Sequence, residues 1–372
     1  MDTVIVTSKL LLTNLPDTLK KDVSGITDAH ELEQLNLFGD NKSVESKAGN
    51  AVSNSFNAYD LSSRFLRNRK QKVKVSDSPK KIIHERRISE RLDGVTYEGI
   101  LRISPAILKG KDEDYFAWPS DREEKVERSL IRLASQGKIA RISGRMGERY
   151  GIYFTLAELN NELKSVNQSL NLQELKESLH ILKGAEMSLQ YDTSSDSGVT
   201  QRNESTMNYL SSIHFSTVKG RSNMRCVAVL NELMSTQIES VEYKSYYFNR
   251  TQSFKRSLSI WLSFRLYRMF RYASPAHTHH FKLVKTMVKY GSIDNEEEAT
   301  KKIVSLRRDM TTTMKDLVAA DIIKSYDIES IKDGSNSIID YIYTLYPTDK
   351  FCSEILELNK HHKMISSKAQ KL

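Results

Sequence analysis

The residues that could do covalent chemistry in this sequence are few and scattered. His277-Thr278-His279-His280 is the densest cluster. Two histidines flanking one residue can hold a divalent metal beside a phosphodiester, which a tyrosine such as Tyr246 or Tyr290 would then attack. That chemistry wants an apolar residue between the histidines and a strand to carry them. Here Thr278 intervenes, and Pro275 with its polar neighbours predicts a solvated loop. His361-His362 falls in a polar terminal tail. No GxxxxGK followed by Ser or Thr, no GxGxxG and no GxSxG occurs. Cys226 and Cys352 are too few for a disulfide framework or a four-cysteine zinc site. The expectation is no catalytic residue, no metal and no cofactor.

A second group of residues binds rather than reacts. Gln34-Leu35-Asn36-Leu37-Phe38 is an apolar island in a polar region. A glutamine, a leucine, a small polar residue and then Leu-Phe is the pattern of peptides that dock on the bacterial sliding clamp. The Gln34 amide and Leu35 would lie along its surface, while Leu37 and Phe38 fill an apolar pocket. The alternative is a stray apolar patch.

Charge gives the third signal. Among 372 residues, 56 Lys and Arg oppose 47 Asp and Glu, a net +9, which makes a polyanion the leading partner class. From 243 to 293 there is no acid, yet the stretch holds ten cations and twelve aromatics. An apolar, foldable segment without acid predicts a positive surface on a core, suited to a phosphate backbone. From 64 to 91 eleven cations face three acids. With Pro79 and little apolar periodicity, that segment reads as a disordered basic arm.

The elements that would position these residues follow from periodicity and caps. Ordered structure is expected from about 82 to 350, after a poorly folded arm at 1–85 and before a frayed tail at 351–372. Residues 96–103 have strand composition. Ser120 with Glu123 opens a helix to about 136, closed by Gly137. A strand at 151–155 leads to a helix at 155–163. Asn171 caps another helix at 172–183, whose Leu172, Leu175, Leu179 and Leu182 form a core stripe. Strands at 185–191 and 209–218 flank a polar loop at 192–206. This order, two short helices and then a hairpin, is that of a winged helix-turn-helix.

The order repeats. A strand at 243–248, a helix at 253–270, a short helix at 281–290 and a long one at 294–320 precede a hairpin with an Asp333-Gly334 turn. The expected fold class is α+β: two winged helix-turn-helix domains, 86–235 and 236–350, behind a disordered arm. The exposed face of the first reading helix supplies Gln173, Lys176 and His180. The second supplies Lys301, Lys302, Arg307, Arg308 and Lys315, and the acid-free stretch adds Arg250, Lys255 and Arg256.

A QLxLF peptide in an unstructured arm, followed by two winged helices, resembles the TrfA type of plasmid replication initiator. The resemblance runs over about 96–347 and includes Leu266-Tyr267, where such initiators carry a similar pair. It implies a protein that binds direct repeats (iterons) in duplex origin DNA, opens adjacent AT-rich DNA and recruits the sliding clamp and host helicase or initiator proteins, with a homodimer acting in copy control. It implies no catalysis, while apolar runs too short for a bilayer and a start at Met1–Leu12 without the features of a secretory signal give the expectation of a cytoplasmic protein without membrane contact. A winged-helix transcription regulator and a rolling-circle nicking initiator are the alternatives.

Overall fold

The computed structural model describes residues 37–371 except 42–43, 46–49, 61, 68–71, 78–81, 93–94, 145–146, 195–199, 218–223 and 271–273. Gln34 and Leu35 lie outside the described residues. Strands β1 (Val52–Phe56), β2 (Lys72–Lys74), β3 (His84–Leu92), β4 (Val95–Ser104), β5 (Ala106–Leu108) and β6 (Tyr115–Ala117) lead to the first long helix, α1 (Asp121–Ser135). As its sequence demands, Ser120 and Glu123 close a capping box, with the Ser120 N–H donating to the Glu123 carboxylate at 3.0 Å. The hairpin β7 (Ile139–Gly144) and β8 (Gly147–Thr155) feeds α2 (Leu156–Ser165) and α3 (Leu172–Gly184), each opened by its own box, Thr155 with Glu158 and Asn171 with Glu174. Strands β9 (Glu186–Ser194), β10 (Thr200–Asn208), β11 (Leu210–Ser216) and β12 (Arg225–Leu230) and helix α4 (Glu232–Glu239) complete this half. Two four-stranded antiparallel sheets result, in the orders β10-β9-β4-β3 and β11-β12-β8-β7.

The second half runs β13 (Tyr243–Tyr247), α5 (Phe248–Gln252), α6 (Ser257–Met269), β14 (His279–Lys282), α7 (Leu283–Tyr290), α8 (Glu296–Lys301), α9 (Ile303–Ala319), β15 (Ile323–Lys332), β16 (Ile338–Pro347) and α10 (Asp349–Ala369). Gly291 ends α7 at φ 85°, a left-handed position where a glycine carries no Cβ penalty. The β15–β16 turn is held by Asp333, whose carboxylate accepts the Ser335 and Ser337 N–H groups at 2.9 Å each. Thus in both halves two neighbouring helical segments lead into an antiparallel hairpin, β9–β10 in the first and β15–β16 in the second.

Several expectations are corrected. The arm is ordered from Leu37 wherever it is described, and Leu37 and Phe38 are 6% and 0% exposed. The polar stretch expected to loop over 192–206 is largely the paired strands β9 and β10, because their ladder satisfies backbone groups that polar side chains do not need to bury. Residues 349–369 form α10 rather than a frayed tail, with His361 and Ile365 buried. The long helix expected at 294–320 breaks at Lys302 into α8 and α9. His279–Lys282 is a strand paired with β16, where a loop at His279-His280 and the start of a helix at Phe281 were expected. Among the described residues no helix is long and apolar enough to cross a membrane.

The ordered arm acts as a strap across both halves. Strand β1 pairs antiparallel with β13, from Val52 opposite Tyr247 to Phe56 opposite Tyr243. Phe38 packs on Phe56 and edge-on to Tyr243, with ring centroids 5.9 and 4.8 Å away. Phe56 joins the apolar core of the first half and Val52 that of the second. Under this strap, helix α1 is buried almost all round, its charged residues included. Arg64 pairs with Asp60 and Glu127, Arg67 with Asp121 and Glu124, and Arg128 with Asp60. Burial is tolerable for these charges only because each meets an opposite one. Arg64 and Arg67, expected in a free basic arm, are 3% and 1% exposed.

Candidate nucleic-acid interface

Helix α3 buries Leu175, Ser178, Leu179, Ile181 and Leu182 against the first core. The opposite face leaves Gln173, His180 and Lys183 exposed and Lys176 half-buried, so the three expected residues do share one side of the helix. Leu172, expected in the core stripe, is instead 56% exposed. Beside this face an open groove of about 720 Å³ gathers Lys72, Lys109, Lys111, Lys176, His180 and Lys183. Glu177 is the acid in its lining, and it is occupied by Lys72 and by Arg122 at 2.6 Å. Lys109, Lys111 and Lys183 were not singled out from sequence, although Lys109-Gly110-Lys111 is a basic turn signal.

Helix α9 buries Ile303, Leu306, Met310, Thr313, Met314 and Leu317 and exposes Val304, Arg308 and Lys315. Arg307 is exposed but turned toward β16, with its guanidinium 4.7 Å from the Tyr341 ring centroid. Lys301 and Lys302 sit at the end of α8 and its junction with α9, not on the reading helix itself. Each reaches a glutamate one turn back, Glu297 and Glu298, at 2.7 Å. Exposed pairs of this kind are weak and screened by salt, so both lysines can exchange partners for phosphate.

The acid-free stretch behaves differently from its expectation of one continuous positive surface. Five of its cations are met by acids or carbonyls from elsewhere in the chain. Arg250 pairs with Glu354 at 3.1 Å and donates to the Tyr267 hydroxyl and the Asp321 carbonyl, which ties it to α10. Arg265 and Lys289 close on Glu90 at 2.6 and 2.9 Å. Burial would raise the Glu90 carboxyl, but these two cations outweigh it and hold it below the usual range. Arg268 donates to the backbone carbonyls of Phe56, Asn57 and Asp60 in the strap. Lys255 and Arg256 stay exposed, the latter 3.8 Å from Asp316.

A further part of the positive surface lies between the halves. A groove of about 630 Å³ runs from β3 and β4 to β14, α7 and β16, with Arg91, Arg265, Lys282, Lys285 and Lys289 in its wall. Glu90, already doubly paired, is the acid of that wall. His279 also lines it, but burial first, then Arg265 and His280, push its imidazole down to about 4, so it is neutral near pH 7. His280 meets the Thr278 and Thr344 hydroxyls at 2.7 and 2.9 Å. No group of three His, Cys, Asp or Glu among the described residues is placed to hold a metal ion. Two helix faces and a groove, each lined by cations, make up the arrangement, and its chemistry is that of polyanion binding.

No protein family matches the sequence, and no curated protein matches it. Among solved structures, the chain is similar to domains 2–3 of RctB at 12% identity, covering 80% of this chain and 99% of that one, with a TM-score of 0.43. A selenomethionine derivative of those RctB domains matches at 10% identity over 77% and 95%, with a TM-score of 0.41. The Pi initiator protein in complex with iteron DNA matches at 10% identity over 54% and 82%, with a TM-score of 0.34.

Proposed function

We propose that this chain is a replication initiator of the TrfA type, which binds direct repeats in duplex origin DNA through two winged helix-turn-helix units. One observation carries the reading: α3 and α9 each follow a short helix, precede an antiparallel hairpin, and present a cation-bearing face opposite a buried one. Helices of that kind enter the major groove, and two of them read a site of about two helical turns. Lys176, His180, Lys183, Arg308 and Lys315 would face the DNA. The groove of Arg91, Lys282 and Lys285 would follow the backbone between them. Bending the duplex across two such units favours flexible TA-rich steps, which supports opening of adjacent AT-rich DNA.

The protein is read as cytoplasmic and without catalysis. The tyrosines that a nicking mechanism would use, Tyr246 and Tyr290, are buried. Host helicase or initiator proteins, and a second copy in copy control, are its proposed partners. Docking of the sliding clamp on residues 34–38 requires Leu37 and Phe38 to leave the core, and each such side chain forfeits roughly 1.5–3 kcal/mol of burial. Clamp capture is therefore proposed only for a strap that has come away.

The test is a footprint on DNA flanking the gene, any tandem repeats in it being the expected site, followed by permanganate probing of the adjacent AT-rich segment. Protection of the repeats with reactive thymines next to them is the expected result. Protection without opening favours the transcription regulator, and equal affinity for repeats and random DNA removes the reading.

A further inference from the structure

The exposed faces of α3 and α9 share a register, as the buried faces do, where Ser178, Ile181 and Leu182 correspond to Met310, Thr313 and Met314. Leu172, the first residue of α3, is followed four, eight and eleven positions later by Lys176, His180 and Lys183. Val304, in the first turn of α9, is followed at the same spacings by Arg308, Thr312 and Lys315. Offsets of four, eight and eleven trace one stripe along a helix. Each stripe thus begins with a large aliphatic side chain and continues with a cation, a polar residue and a cation. Leu172 is 56% exposed and Val304 78%, among the most exposed large apolar residues described.

A single exposed aliphatic residue is ordinary. Two at the same register, each at the start of a polar, basic face, are not required by packing, because neither belongs to an apolar core. The first turn of a reading helix is the part that meets base edges. In the major groove the one apolar group presented by the bases is the thymine C5 methyl. Resting on the duplex-reading function proposed above, we infer that Leu172 and Val304 each read a thymine through that methyl group, one in each half of the binding site. The cations at the fourth and eleventh positions hold the flanking phosphates and set the helix depth that brings the aliphatic side chain to the methyl.

Burying one methyl group corresponds to about a fourfold change in affinity. The experiment begins with the full-length protein and a pool of random duplexes, from which a bound sequence is enriched. Each thymine of that sequence is then replaced by deoxyuridine, which removes the methyl alone. Two positions, one in each half-site, should lose about fourfold in affinity. L172A should erase the uracil penalty at one of them and V304A at the other, with V304T, which keeps a methyl, retaining it. Both side chains are exposed, so unchanged melting of the variants separates recognition from folding. Uniform indifference to uracil, or penalties that persist in both alanine variants, overturns the inference while leaving duplex reading intact. Failure to enrich any sequence overturns duplex reading, and this inference with it.

Discussion

The Asp60 carboxylate accepts an Arg128 guanidinium N–H at 2.8 Å, with both side chains buried, and so ties the strap to the middle of α1. Burial would raise this carboxyl, but Arg128, Arg64 and Arg268 outweigh it and keep it ionised far below the usual carboxylate range. The same Asp60 carboxylate also receives Arg64 at 2.8 Å. One strap residue thus answers cations from the strap and from α1.

Asp60→Ala should therefore be far more damaging than an ordinary surface change. It leaves Arg64 and Arg128 buried without this anion, and breaking a buried pair costs about 3–5 kcal/mol. Urea unfolding should show the midpoint falling with little change in slope. A variant as stable as the parent would mean that water reaches this network.

Phe38→Ala should act through the core. Its ring fills space between Phe56 and Tyr243, and removing a buried phenylalanine costs about 3–5 kcal/mol. Hydrogen exchange should show β1 losing protection before the rest of the sheet framework. For the same reason, a free peptide of residues 31–41 should bind the sliding clamp more tightly than the intact protein does. Calorimetry of the two against one clamp preparation compares them directly, and equal affinity would show that the strap opens freely.

Arginines in this chain should divide into two classes when duplex affinity is measured against salt. Arg308→Ala with Lys315→Ala should lower affinity and flatten the slope of log K against log salt by about 0.9 for each phosphate no longer neutralised. Arg250→Ala should leave that slope unchanged and instead lower the melting temperature, because Arg250 is engaged with Glu354. A reversed result would place the interface on the α10 side of the molecule.

Acid should weaken the fold in two stages. The His279 imidazole sits at about 4 in the folded chain, below the roughly 6.5 of an unfolded histidine. Between those values the unfolded state binds the extra proton, so stability present above about pH 6.5 is lost as pH falls toward 4. His361, buried and likewise lowered, adds to this stage. Asp60 and Glu90, both held low by cations, contribute stability that is complete above the ordinary carboxylate range near pH 4 and is lost below it. Melting curves of His279→Phe should gain on the parent at pH 5 and match its trend at pH 8. Parallel pH profiles would show that the imidazole is solvated.

Much of the framework was written in local chemistry. Capping boxes at Ser120, Thr155 and Asn171 and the Asp333-Gly334 turn are contacts between residues two to four apart, so their positions follow from the sequence alone. The polar faces of α3 and α9 and the excess of cations were legible for the same reason, but the first hairpin was not: 209–218 was expected to pair with 185–191, whereas β9 pairs with β10 and β11 joins β12 in the other sheet. The strap was not legible either. Val52–Phe56 finds its partner strand about 190 residues away, and Leu37 and Phe38 find a pocket built from distant segments, so nothing near them in sequence distinguishes a buried island from an exposed one. Nor could spacing say which cations are free. Arg250, Arg265 and Arg268 stand in a stretch without acid, yet Glu354, Glu90 and the strap carbonyls come to them in space. A charge's partner is set by Coulomb attraction and desolvation at a few ångströms, and only the tertiary structure decides which groups come that close.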